Sequence, residues 1–186
     1  ICHDMINHLV NDIAVMGARP LAVLDTIVCG NAEKDTISTL VKGVAEACSE
    51  NECSLVGGET SIQPQVVEKG VYVLTSSIVG IAEKNGIVDG SAIGQGDSIL
   101  AVAANGLHTN GYSLVRLLME KSPQVKLDKV DGMTFVEQIM KPHTPYYKAL
   151  KGLLNEKNAD GSLRMVHGMA HITGGGIAGN LCRVIP

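Results

Sequence analysis

At 186 residues, 45% hydrophobic and 18% charged, the chain can bury a sizeable core and lacks the composition of a disordered or fibrous protein. A formal net charge of −4, no Trp and the single Phe135 argue against a nucleic-acid partner, because both a basic footprint and stacking platforms are missing. Five cysteines (Cys2, Cys29, Cys48, Cys53, Cys182), odd in number and without C-x-x-C spacing, argue against a disulfide framework and against a zinc site, and suit free thiols in a reducing cytoplasm.

The apolar residues Met5, Ile6, Leu9, Val10, Ile13 and Met16 fall on one arc of a helical wheel, with Asp4, Asn7, His8, Asn11 and Asp12 on the other, so residues 4–16 read as an amphipathic helix. Gly17-Ala18-Arg19-Pro20 is termination chemistry, and residues 21–29 read as a strand. Asp35 is a candidate N-cap for a helix to about residue 49, on which Ile37, Leu40, Val41, Val44, Ala45 and Cys48 share a face. Runs 53–56, 71–81 and 98–103 are β-prone, giving an α/β alternation over the first hundred residues. Gly, Asp, Asn and Ser gather between residues 82 and 96, which places a domain boundary near 85–90. Helices are then expected over 112–121, 134–140 and 146–154, a strand over 165–172, and a final helix after Gly174-Gly175-Gly176. No apolar run approaches the roughly 20 residues of a membrane span, so no membrane partner is expected. Ile1 opens directly into a helical pattern, and with no starting Met the chain is expected to be a fragment or a truncated form.

Four places carry residues suited to chemistry. Asp12 lies at the border of the apolar arc, where a carboxylate can either face a cleft and hold Mg2+ or sit in a solvated ion pair. In Leu55-Val56-Gly57-Gly58-Glu59-Thr60 a strand runs into a double glycine and then an acid, which is either an anion-binding nest beside a metal ligand or an ordinary turn. His108-Thr109-Asn110-Gly111 stands between a strand and a helix N-terminus, a place that attracts phosphate and lets His108 move protons, unless it is a plain exposed loop. Thr173-Gly174-Gly175-Gly176 lacks the dinucleotide and P-loop patterns and is a weak phosphate signal alone. His167 and His171 would share a strand face without an H-E-x-x-H pattern, and read as structural.

In register, Val10-Asn11-Asp12 with Gly17-Ala18 and Pro20, Ser54 to Thr60, Asp89-Gly90-Ser91, His108 to Arg116, and Ala170 to Gly176 closely resemble the phosphoribosylformylglycinamidine cyclo-ligase family, also called aminoimidazole ribonucleotide synthetases. The resemblance covers essentially the whole chain. It implies an α/β (α+β) two-domain fold: 1–86 an ATP-binding and dimerisation domain lacking its start, whose strands join a β-barrel across a homodimer, and 87–186 an α/β domain lacking its end. It further implies an ATP-dependent ligase of purine biosynthesis, cyclising formylglycinamidine ribonucleotide in the cytoplasm, with ATP, Mg2+ and K+ as its small-molecule needs. Carried over residue by residue, Asp12 and Glu59 hold metal, His108 and Asp12 are catalytic, and Asn11, Gly57, Gly58, Asn110, Gly111, Thr173, Gly174, Gly175 and Gly176 bind ATP or phosphate. Relatives sharing the scaffold include thiamine-monophosphate kinase and selenophosphate synthetase, and a non-catalytic nucleotide-binding dimerisation fragment is a further reading. The chain departs from the family pattern at Ser61-Ile62-Gln63-Pro64-Gln65, usually Ala-Glu-Met-Pro-Gly, and at Leu107, usually Pro. The Gly-rich Asp-Gly-Val-Gly-Thr-Lys segment expected before Ile1 is absent, so residues 1–186 alone are expected to be inactive.

Overall fold

A computed structural model describes residues 1–162 and 165–186. The first half runs α1 (Cys2–Ala14), β1 (Arg19–Cys29), α2 (Lys34–Glu50), β2 (Ser54–Ile62) and β3 (Tyr72–Ile81). The central β1 pairs parallel with β2 and antiparallel with β3, giving the sheet order β2-β1-β3. Alternation along β1 sends Val23, Asp25, Ile27 and Cys29 to the buried face, where α1 and α2 cover the sheet. Ile6, Val10, Val23, Val44 and Ala47 are fully buried there, each large aliphatic contributing about 1.5–3 kcal/mol.

α1 ends at Ala14, two residues before its periodicity predicts. Gly17 takes φ +78°, and a Cβ there would lie 2.6 Å from the Gly86 carbonyl oxygen, so only glycine permits both the turn and this approach. The Val88 amide donates to the Met16 carbonyl at 3.0 Å, which fastens the connecting segment to the end of α1.

The double glycine behaves differently from its expected turn. Gly57 and Gly58 lie inside β2, paired with Leu24 and Asp25 just after a register shift that leaves Val56 bulged. A Cβ at Gly58 would stand 2.5 Å from the Asp25 backbone oxygen. The glycine thus serves strand-to-strand approach. Because two pleated strands in register share faces, Glu59 points with Thr26 to the sheet face that the helices do not cover.

The second half holds α3 (Tyr112–Lys121), a two-residue ribbon of β4 (Lys129–Val130) with β5 (Met133–Thr134), α4 (Phe135–Ile139), α5 (Tyr147–Asn155) and α6 (Gly176–Leu181). A capping box opens α4, Thr134 and Glu137 satisfying each other's backbone amides. The strands expected over 98–103 and 165–172 do not form: among the described residues neither run has a ladder partner, and a β-prone run without a neighbour gains no hydrogen bonds by extending. Ile99 and Leu100 are left 79% and 85% exposed. No helix among the described residues is long and apolar enough to cross a membrane.

Candidate functional site

Two residues of the polar arc of α1, Asn7 and Asn11, face the interior. Asn7 donates to the His143 carbonyl at 2.6 Å and accepts from the Asn51 amide at 2.7 Å. Asn11 donates to the Thr144 carbonyl and accepts from the Tyr146 amide, both at 2.9 Å. Asp4 accepts from the His143 amide at 2.8 Å. Both asparagines are buried. The segment 142–147, stiffened by Pro142 and Pro145, is thereby clamped along the helix. Asn11, expected to contact phosphate, has both ends of its amide committed to this clamp.

Asp12, the next residue, faces a cleft. It accepts from His171 Nδ1 at 2.7 Å and pairs with His8 Nε2 at 3.1 Å, its side chain still 47% exposed. A carboxylate only accepts, so His171 Nδ1 donates to it. The structure therefore pulls His171 away from its expected structural place on a strand face. His167 goes elsewhere, to Asp97 Oδ2 at 2.8 Å. His8 Nδ1 shares a 2.8 Å hydrogen bond with the Thr109 hydroxyl, so the His108-Thr109-Asn110-Gly111 loop meets α1 at this point. His108 stacks on His143 with ring centroids 3.9 Å apart and bonds Asn105 at 2.9 Å. Burial, and then the charge of His171, holds the His108 ring below its ordinary value.

Two open clefts flank this junction. One, about 310 Å3, is lined by Met5, His8, Leu9, Ser76, Thr109 and Asn110. The other, about 260 Å3, takes in Asp12, Asp89, His171, Thr173, Asn180 and Arg183. Thr173 lies at the second cleft. Gly174, Gly175 and Gly176 follow it in a turn braced by the Asn180 amide, which donates to the Gly176 carbonyl at 2.7 Å. Gly175 and Gly176 have φ of +96° and +65°, and a Cβ on any of the three would meet open space or only Gly179. Gly111, at φ +89°, turns the chain into α3.

Asp12 and Glu59, expected to converge on one metal, are not brought together within one copy: α1 covers one face of the sheet and Glu59 lies on the other, lining neither cleft. Gly57 and Gly58, both in β2, stay with Glu59. The donor set fits Mg2+ through Asp12 alone, a half-exposed carboxylate with lone pairs open to a cleft.

Sequence reasoning missed His8 and His143. His8 stands four residues before Asp12 on one helix, a spacing that makes them neighbours. His143 carries no comparable signal: it is a loop residue buried by α1, 1% exposed, and neither ring nitrogen has a partner among the described residues. Burial, reinforced by the charges of His108, His171 and His8, pushes it down to about 3. One nitrogen each of His8, His143 and His171 lie within 4.8 Å of one another.

Two family models match in order: AIR synthase related protein, N-terminal domain, over residues 1–82, and AIR synthase related protein, C-terminal domain, over residues 94–186. A phosphoribosylformylglycinamidine cyclo-ligase from Geobacillus sp. (strain WCH70) is 42% identical over 100% of this chain and 54% of its own length. Another of that name, from Methylobacillus flagellatus, is 43% identical over 98% of this chain and 51% of its own. The chain spans about half the length of the curated relatives it matches. Among solved structures, thiamine monophosphate kinase from Aquifex aeolicus is similar with a TM-score of 0.53 at 23% identity, over 81% of this chain and 49% of that one, a likeness of fold. With both domain models matched in sequence, the chain belongs to the AIR synthase related protein family.

Proposed function

We propose that this chain is the ATP-handling portion of a cyclo-ligase that converts formylglycinamidine ribonucleotide to aminoimidazole ribonucleotide with release of ADP and phosphate, in purine biosynthesis in the cytoplasm. The observation that carries the reading is the meeting of Asp12, His171 and the His108 loop at one junction of the two halves, in a chain whose curated relatives bear that enzyme's name. The halves divide at 86/87.

The formyl oxygen attacks the γ-phosphorus of ATP and ADP leaves. An internal nitrogen of the same substrate then attacks the activated carbon, phosphate departs, and a proton is lost as the ring closes. Positioning supplies most of the rate, since the second step is intramolecular. We assign His108, on the loop that meets α1, to take the proton. Asn110, Gly111 and the Thr173–Gly176 turn offer donors to phosphate oxygens, and Asp12 holds Mg2+, whose charge offsets that of the triphosphate.

Glu59 belongs to the uncovered sheet face, with Leu24, Val73, Val79 and Ile81, each about half exposed. We assign this face to a second copy, so Gly57, Gly58 and Glu59 take part in metal and nucleotide binding from the homodimer interface. Val79→Lys is expected to shift the protein from dimer to monomer in light scattering.

The deciding assay incubates the full-length protein with formylglycinamidine ribonucleotide, ATP, Mg2+ and K+, and follows ADP together with aminoimidazole ribonucleotide. Stoichiometric formation of both is expected, and Asp12→Asn should lower it by orders of magnitude with the fold intact. Phosphorylation of thiamine monophosphate in place of ring closure overturns the reading.

A further inference from the structure

We propose that His8, His143 and His171 form a binding site for a single transition-metal dication of the Zn2+ class, joining α1 to the two segments of the second half packed on it. The proposal does not depend on the ring-closing reading. Three imidazoles from distant parts of the chain present one nitrogen each within 4.8 Å of one another, although the cysteines offer no zinc motif. A tetrahedral ion with metal–nitrogen bonds of about 2.0–2.1 Å sets its ligand atoms about 3.4 Å apart, so shifts of about an ångström close the site.

His143 is the independent observation. Its ring is 1% exposed, and both nitrogens lack a hydrogen-bond partner among the described residues. A buried imidazole left so is uncommon, and coordination gives one nitrogen the partner it lacks.

The surroundings have the form that metal-bound histidines require. Asp12 accepts from His171 Nδ1 at 2.7 Å, which fixes the tautomer and leaves the lone pair on Nε2. The same carboxylate lies 3.1 Å from His8 Nε2, and His8 Nδ1 shares a hydrogen bond with the Thr109 hydroxyl, which an ion bound at that nitrogen would replace. Three nitrogen ligands leave a fourth position for water or a ligand in the cleft. Donor type sorts the cations: nitrogen favours Zn2+, Ni2+ or Co2+, and Mg2+ keeps to oxygen.

The test uses tag-free, full-length protein stripped with a chelator and titrated with Co2+, following visible absorption, then with Zn2+. One Co2+ per chain is expected, bleached by Zn2+ and untouched by excess Mg2+. Asp12→Asn should weaken binding about 10–100-fold, and His8→Asn, His171→Asn and His143→Gln at least as much. His3→Gln and His167→Gln, outside the cluster, should bind normally. Circular dichroism reports folding. If His143→Gln does not fold, His8→Asn decides, because His8 is partly exposed on α1. Absence of a saturable Co2+ spectrum, displacement by equimolar Mg2+, or full affinity in folded His8→Asn overturns the proposal.

Discussion

Replacing Gly58 by alanine should destabilise the protein, whereas the same change at Gly57 should not. The added methyl at Gly58 would lie 2.1 Å from Asp25 Oδ1 and 2.5 Å from the Asp25 backbone oxygen. The side-chain oxygen can rotate away. The backbone oxygen belongs to the central strand, held on both sides by ladder pairs, so relief requires spreading β1 from β2. Overpacking of this kind costs about 1–3 kcal/mol, which for a chain of this size lowers Tm by about 2–12 °C. At Gly57 the nearest atom is Leu24 Cδ2 at 4.0 Å, an ordinary contact. Alanine there restricts the unfolded chain and should leave stability unchanged or raise it by up to about 1 kcal/mol. Differential scanning calorimetry of the two variants separates the cases. A Gly58→Ala protein melting with the wild type, or equal losses in both, would refute the close-approach argument.

Stability should fall in acid through His143. Its folded value of about 3 lies below the ordinary 6.5, so the unfolded chain binds the proton more readily. The contribution is whole above pH 6.5 and is lost towards pH 3 at about 1.4 kcal/mol per pH unit. His143 faces His8, His108, His171 and Asp4, and His143→Gln should flatten the slope of urea midpoints over that range; an unchanged slope refutes the assignment. Thiol titration with Ellman's reagent should find Cys182 alone reactive in the native protein and all five cysteines after unfolding, since Cys2, Cys29, Cys48 and Cys53 are buried and burial pushes Cys48 up to about 12. Two fast native thiols would contradict this. Asn7→Ala removes the bonds to His143 and Asn51 and strands buried polar groups, at about 1–3 kcal/mol; urea melts that lose less than about 0.5 kcal/mol would make the clamp decorative.

The first half was legible because its signals are local. The apolar arc of α1, the Gly17–Pro20 stop and the β-prone runs each fix an element without reference to distant residues. β2 ran longer than its apolar start because the glycines tolerated pairing that propensity disfavours, and parallel pairing with β1 supplied what propensity lacked. In the second half the same kind of evidence misled at 98–103 and 165–172, where extension needs a neighbouring strand that periodicity cannot specify. The site divided in the same manner. Asp12 was visible as a border carboxylate, and the family strings placed His108 and the Thr173–Gly176 turn. The approach of His143 and His171 to α1 was invisible, because it spans more than 130 residues of sequence. Amphipathicity distinguishes apolar from polar sides and says nothing of which polar side a second backbone will claim.

The clamp along α1 gives this helix two insides. Cutting the chain at its compositional boundary would therefore create no free-standing half: Asn7 and Asn11 would lose the carbonyls of 143 and 144, and the second half would shed the side-chain amide partners of its 142–147 loop. Expression of either piece alone should yield sticky, poorly soluble material, and co-expression of the pieces should restore a folded pair.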